Sequence, residues 1–271
     1  MFVKDIQNFD LKQTFECGQC FRWNKCMDGS YLGIAGDYVI KASYKDGGIQ
    51  IECDDDGFAA DYFDLTRDYG KIINAIKGDG IIKKAAAAGK GIRLLKQPPW
   101  ETLVSFIISA NNNIPRIKKI IELLCRNFGE PISYNGCIYY KFPSAKALSG
   151  VGLGELSSVR CGFRDKYILD AALKVVSGEV DLESVYKMSC EEGRHYLKKI
   201  KGVGDKVADC VLLYAYQKYD VFPKDVWIKR ILKNRYNVPE SNIDAFVRSK
   251  FGEYGGFAQQ YLYYYFRDAA G

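Results

Sequence analysis

Lys206 and Asp225 are the two side chains of this sequence whose setting could do covalent chemistry. Lys206 falls in Leu197-Lys198-Lys199-Ile200-Lys201-Gly202-Val203-Gly204-Asp205-Lys206-Val207-Ala208-Asp209-Cys210, which reads as a helix, a glycine turn and a second helix with the lysine in its first turn. A helix N-terminus disfavours an ammonium by a few tenths to about 1 kcal/mol. Partial burial would lower its pKa further, and a neutral amine is a nucleophile. Nearby phosphates would oppose that shift, so the residues alone leave the balance open. Asp225 follows Pro223 in Val221-Phe222-Pro223-Lys224-Asp225-Val226-Trp227 and opens the next helix. Facing Lys206, its carboxylate would stabilise positive charge building on a sugar and help to move protons. As an ordinary cap it would only bond the backbone.

The turn between the two helices has its own chemistry. Gly202 and Gly204 allow positive φ and the close approach of another backbone. Asp205 is placed to cap the second helix. The free N–H groups of Gly202-Val203-Gly204 suit a phosphate oxygen, and the outward carbonyls could hold a monovalent cation against it. Such a contact positions DNA but reads no sequence. Ser189 with Glu192 forms an S-x-x-E capping box ahead of the first helix. Cys210 lies one turn beyond Lys206 on the same face. Val207, Ala208, Val211, Leu212 and Ala215 form the buried stripe. The plain alternative is a structural αα-hairpin with a solvated lysine.

The elements that must position these groups follow from pattern and composition. The chain has 271 residues, 48% of them apolar, enough for two modest domains. A formal charge of +6 permits a nucleic-acid partner without requiring one. The nine cysteines are an odd number, and Met1-Phe2-Val3-Lys4-Asp5 turns polar at once, which points to reduced thiols in a cytoplasmic protein. The longest apolar run, Leu103 to Ala110, is too short to span a bilayer. Cys17-Gly18-Gln19-Cys20, with Cys26 nearby, has no second CxxC and no histidine pair to complete a zinc site, since His195 is the one histidine. No cysteine follows Cys210, which argues against an iron–sulfur cluster.

Short β-rich runs at Phe21–Trp23, Tyr31–Ala35, Tyr38–Ala42 and Gly48–Glu52 are separated by Asp28-Gly29, Gly36-Asp37 and Asp46-Gly47, the pattern of an antiparallel meander. Helical periodicity follows at Tyr69–Lys77, Ile81–Ala88, Pro98–Ala110, Ile114–Phe128, Arg164–Val176, Cys190–Ile200, Asp205–Gln217, Lys224–Tyr236, Ile243–Phe251 and Phe257–Phe266. The expected class is α+β, with a β-rich domain over 1–95 and a larger all-α helix-hairpin-helix domain over 96–271.

G-V-G-D-K-V-A-D-C, V-F-P-K-D-V, C-G-Q-C-F-R-W and S-A-N-N-N-I-P-R-I, in this arrangement along the chain, resemble the 8-oxoguanine DNA glycosylases of the helix-hairpin-helix superfamily. The resemblance runs from Gly18 to Gln259. It implies an enzyme that flips the damaged base from duplex DNA, excises it and nicks the strand. By this resemblance Lys206 attacks C1′ and forms a Schiff base, and Asp225 is its carboxylate partner. Gly18 supplies a carbonyl that accepts from N7–H of 8-oxoguanine and repels the N7 acceptor of guanine. Gln259 reads the Watson–Crick edge, and Cys210 and Tyr263 sandwich the base. Asn111 fills the gap left in the duplex, and Arg116 and Arg164 bond the orphaned cytosine. Phe163 stands where a tyrosine wedge is common, Tyr263 where phenylalanine is common, and Trp227 where a histidine often follows Asp-Val. The resemblance further implies a monomer working on double-stranded DNA containing 8-oxoguanine, nucleoid-associated if bacterial, with no redox cofactor, catalytic metal or membrane. Two other readings compete. A glycosylase for alkylated bases would use a carboxylate and water and leave Lys206 without a role, and a non-catalytic DNA-binding module would leave both the Lys206/Asp225 pair and the Gly18 loop unexplained.

Overall fold

The structure, a computed structural model, describes residues 1–4 and 6–269, with side chains up to residue 267. Asp5, Ala270 and Gly271 lie outside the described residues. The N-terminal part is a five-stranded antiparallel sheet of β1 (Phe2–Val3), β2 (Trp23–Lys25), β3 (Tyr31–Ala35), β4 (Tyr38–Lys45) and β5 (Gly48–Glu52), in the order β1-β5-β4-β3-β2. The meander expected from the Gly/Asp turns is present, with Tyr31 opposite Ala42 and Ala42 opposite Ile51. Helix α1 (Leu11–Glu16) and α2 (Asp56–Tyr62) cover it. Both are too short to show a clear 3.6-residue period, yet each begins on an aspartate, Asp10 or Asp55, that accepts from a backbone N–H three residues on. Trp23 fixes this core. It stacks on Phe15 at 3.9 Å and donates its indole N–H to the Tyr62 hydroxyl at 2.9 Å.

The rest is helical: α3 (Tyr69–Ile76), α4 (Gly80–Ala88), α5 (Pro99–Ser109), α6 (Ile114–Phe128), α7 (Ala145–Ser149), α8 (Leu153–Leu156), α9 (Asp165–Val176), α10 (Cys190–Leu197), α11 (Asp205–Tyr216), α12 (Val226–Tyr236), α13 (Ile243–Phe251) and α14 (Gly255–Ala269). A two-stranded hairpin, β6 (Pro131–Tyr134) with β7 (Cys137–Tyr140), is set among them. The α+β class stands, with that hairpin added to the helical part. Helices α3 and α4 precede residue 95 but pack in the helical core, α4 against α14.

Two helices carry the centre. In α5 every residue from Glu101 to Ile108 is buried, and in α11 every residue from Val207 to Tyr216. Both are mostly apolar around their circumference, as an interior helix is, their buried carboxylates Glu101 and Asp209 are paired with Arg22 and Arg194, and the two helices pack against each other. Helix α6 is amphipathic instead. Asn113 caps it by accepting from Arg116 N at 3.0 Å, and it buries Ile117, Ile120, Ile121 and Leu124, worth roughly 2 kcal/mol each. Among the described residues no helix is long and apolar enough to cross a membrane.

Candidate active site

A cavity of about 870 Å³ opens where α5, α11, α12 and α14 meet the loop after α1. Lys206, Asp225, Gly18, Cys210, Gln259, Tyr263, Asn111, Gly202 and Gly204 all line it. Lys206 is half-buried in the first turn of α11. Its Nζ donates to Ser109 Oγ at 3.3 Å and lies 5.1 Å from the centroid of the Phe106 ring. Among the described residues no ion pair ties it to Asp225, so the amine is held by a hydroxyl and an aromatic face. Asp225 is the N-cap of α12, its Oδ1 accepting from Ile228 N at 2.8 Å. One oxygen caps while the charge is felt across the cavity, at Cys210 and Tyr263. The capping and cavity-facing readings of Asp225 are therefore compatible.

The walls suit a flat heterocycle. Burial pushes the Cys210 thiol up to about 11, against the pull of Lys206, so it stays neutral and presents a soft apolar face. Burial also raises the Tyr263 phenol. Gly18 has φ +88°, and a Cβ there would come within 3.2 Å of Tyr263 Cε1. Only glycine accepts that backbone conformation and that neighbour together. Gln259 is buried, and its Oε1 has no partner among the described residues, a state that calls for a donor in the cavity.

Asn111, Arg116, Phe163 and Arg164 gather beside the cavity mouth. Asn111 is exposed just past the end of α5 with φ +49°. Arg164 is 3% exposed, and each of its three guanidinium nitrogens donates to a backbone carbonyl. Its Nε and Nη2 donate to the Ala110 carbonyl, Nη2 also to Asn111 O at 3.0 Å, and Nη1 to Cys161 O at 3.1 Å. Burial first, and the charge of nearby Arg116 second, hold its pKa below the usual guanidinium range. Arg116 itself is exposed on the first turn of α6. Phe163 is 53% exposed, edge-on to Tyr167 at 6.0 Å, with the Arg164 guanidinium 4.5 Å from its centroid.

The hairpin is built as expected in part. Ser189 and Glu192 form the capping box of α10. Gly202 has φ +81°, and a Cβ there would meet the Tyr167 ring at 2.4 Å. Two expectations are corrected. Gly204 has φ −98° and ψ −176°, so it is extended and needs no left-handed freedom. It is also the N-cap, without a side-chain cap, because Asp205 lies inside the helix and pairs with Lys198 at 2.7 Å. Val203 is buried, and Lys174 Nζ donates to the Lys199 carbonyl, which already gives one hairpin carbonyl an ammonium. Beneath the turn Arg194 joins α10 to buried Asp209 at 2.6 Å.

Sequence reasoning missed the supports of the site. Ser109 and Phe106 hold the amine, and Ser109 opens the very S-A-N-N-N run quoted above. Gln260 and Tyr214 also line the cavity, and only the adjacency of Gln260 to Gln259 hinted at it. Trp227 lines the mouth, half-exposed under Arg230. All nine cysteines are free, and burial raises Cys17 to about 12 and Cys20 well above the usual thiol range. Among the described residues no cluster of three or more His, Cys, Asp or Glu side chains is placed to hold a metal ion.

Comparison with known proteins places this architecture. Residues 1–103 match the 8-oxoguanine DNA glycosylase N-terminal domain, and residues 104–254 match the HhH-GPD superfamily base excision DNA repair protein profile. The N-glycosylase/DNA lyase OGG1 of Arabidopsis thaliana is 30% identical over 279 residues, covering 93% of this chain and 76% of that protein. The probable N-glycosylase/DNA lyase of Methanothermobacter thermautotrophicus is 32% identical and the N-glycosylase/DNA lyase of Saccharomyces cerevisiae 39% identical, over 65% and 57% of this chain. The chain spans 64% and 44% of the length of those two relatives. A structure of MBOgg1 with a low-affinity DNA ligand is 48% identical with a TM-score of 0.96, covering all of this chain and 96% of that one. The Clostridium acetobutylicum 8-oxoguanine glycosylase/lyase, bound to double-stranded DNA with cytosine opposite 8-oxoG, is 40% identical with a TM-score of 0.93, covering all of this chain and 99% of that one. The chain belongs to the 8-oxoguanine DNA glycosylase family within the HhH-GPD superfamily of base excision repair proteins.

Proposed function

We propose that this chain flips 8-oxoguanine paired with cytosine out of duplex DNA, excises it, and nicks the strand by β-elimination through a lysine Schiff base. The observation that carries the reading is the half-buried Lys206 amine, unpaired with Asp225 and opening onto the same cavity as that carboxylate. The Lys206 nitrogen bonds to C1′ as the C1′–N9 bond breaks, and the electron pair leaves with the base, which takes up a proton. The sugar ring then opens as nitrogen and C1′ form the imine. Loss of a C2′ proton expels the 3′ phosphate. Asp225 stabilises the cationic sugar and helps to move these protons.

Base recognition is divided among the walls. The Gly18 peptide accepts from N7–H, the Gln259 amide, whose Oε1 has no partner among the described residues, bonds the Watson–Crick edge, and neutral Cys210 and the Tyr263 ring enclose the two faces. The hairpin at Gly202-Val203-Gly204 holds backbone phosphate through the Gly202 and Gly204 N–H groups, since Val203 N already donates to Ile200 O at 3.1 Å, and a monovalent cation sits on the Gly202 and Val203 carbonyls, since Gly204 O accepts from Ala208 N at 2.9 Å. Arg116 and Arg164 select cytosine, Asn111 fills the gap, and Phe163 pries the stack. The test is a base-release assay on duplexes carrying 8-oxoguanine or a methylpurine opposite each of the four bases. Release of 8-oxoguanine opposite cytosine, with nicking, is expected. Release of methylpurine alone, or binding without release, would overturn the reading.

A further inference from the structure

Outside the residues already given roles, Tyr214 and Gln260 are buried against the cavity and bonded to each other. Gln260 is 2% exposed. Its Nε2 donates to the Cys17 carbonyl at 3.1 Å, and its Oε1 accepts from the Tyr214 hydroxyl at 2.6 Å. Burial holds the Tyr214 phenol protonated, so it is the donor of that pair. The next loop carbonyl but one is also clamped, because Gln97 Nε2 donates to Gln19 O at 2.8 Å while Gln97 N donates to Tyr214 O at 2.8 Å. The Gln19 side chain is spent on Thr14 O, Arg93 O and Leu95 N. The Gly18 peptide therefore sits between two carbonyls that are each held by a buried glutamine, and both glutamines are tied to Tyr214.

We propose that Tyr214 and Gln260 are positioning residues that fix the Gly18 peptide and so determine how well the pocket selects the oxidised purine. The inference rests on the proposed excision of 8-oxoguanine. Neither residue needs to touch the base. Gln260 is the neighbour of Gln259 on α14, so two consecutive residues of one helix link the amide proposed to read one edge to the loop proposed to read the other. A carbonyl aimed at N7 discriminates only while its oxygen stays within hydrogen-bond range of the lesion and in conflict with guanine. The Tyr214 ring stacks on Phe106 at 5.3 Å, and Phe106 is the floor under Lys206. Removing the hydroxyl alone keeps that floor, so recognition and amine chemistry can be separated.

The experiment measures two single-turnover rates for each variant, base release from an 8-oxoguanine·cytosine duplex and nicking of a preformed abasic·cytosine duplex. Their ratio is unaffected by any fraction of inactive protein, since both rates scale with the active fraction. If the wild-type chain releases no 8-oxoguanine, the functional proposal fails and not this one. Given wild-type release, Tyr214→Phe and Gln260→Leu should each lower the ratio about tenfold, the scale of one buried polar group left unsatisfied. Gln260→Glu keeps the acceptor for Tyr214 but sets a second acceptor against Cys17 O, and should lower it further. In a Lys206→Gln background, the binding preference for the 8-oxoguanine duplex over the undamaged duplex should shrink in step. A ratio within about twofold of wild type in all three variants, or an unchanged binding preference, overturns the inference.

Discussion

The proposed lesion pocket and the proposed duplex face lie side by side and are built in opposite ways. In the pocket the groups are buried and held: Cys210, Gln259 and Gln260 are within the core, and Gly18 is packed against Tyr263. On the duplex face Asn111, Arg116 and Phe163 are exposed, and Asn111 takes a left-handed conformation uncommon outside glycine. Arg164 is the exception that explains the contrast. It is buried, but its donors are spent on the Ala110, Asn111 and Cys161 carbonyls. A pocket that must tell two purines apart by one proton gains from preorganisation, since any slack costs discrimination. A surface that must take up a bent duplex gains from side chains free to move onto it. For Arg164 to reach an orphaned cytosine, it must exchange carbonyl partners for base acceptors.

The largest effect expected on the pocket side comes from Lys206→Gln. Base release should fall by at least about a thousandfold, and borohydride should trap no covalent complex with an 8-oxoguanine·cytosine duplex. Duplex binding should survive, because the hairpin is untouched. A trapped complex in this variant would assign the nucleophile elsewhere. Gly18→Ala comes next. Its φ of +88° and the 3.2 Å approach to Tyr263 mean that the loop or the ring must shift. Excision should drop roughly ten- to a hundredfold, with binding of undamaged duplex little changed. Equal loss of both would mean that the loop supports the fold and not the pocket.

The same contrast explains what was legible in the sequence. The hairpin, its capping box and the lysine are local features, set by residues a few positions apart, and pattern alone located them. Helices Ile114–Phe128 and Ile243–Phe251 were legible to the residue: the first has its Asn113 cap and apolar period in agreement, and the second, whose Asn242 makes no side-chain cap bond, ends at Gly252. The two corrected readings, Gly204 and Asp205, differ by a single step of register at a helix start, where several residues can serve. The Gly18 loop was found by resemblance, but its supports were not: Gln260 is 243 residues from Cys17, and no local signal links them. Strand β1 and the β6–β7 hairpin escaped notice for a related reason. The first has two residues and the second alternates weakly, so each depends on a partner more than on its own pattern.

Arg164→Ala tests the boundary between the two regions. It leaves the Ala110, Asn111 and Cys161 carbonyls without this donor, so stability should fall by about 1–3 kcal/mol, read as a lower Tm or denaturation midpoint. Preference for cytosine over adenine opposite the lesion should fall about tenfold. A loss of stability with unchanged preference would make Arg164 a strut for the Asn111 loop and leave Arg116 as the cytosine reader.

Phe163→Ala should have the smallest effect and gives the cleanest reading of the duplex face. The ring is 53% exposed, with Tyr167 and the Arg164 guanidinium beside it, so its removal should leave thermal stability almost unchanged. Binding of lesion duplex should weaken by about three- to tenfold, because the unstacking the ring supports would go unaided. The salt dependence of binding should keep its slope, since no charge that meets phosphate has been removed. A lower Tm would show the ring to be packing for Arg164, and a shallower salt slope would show that its loss disturbs phosphate contacts of this face. Either result would move Phe163 from the exposed side of the comparison to the held one.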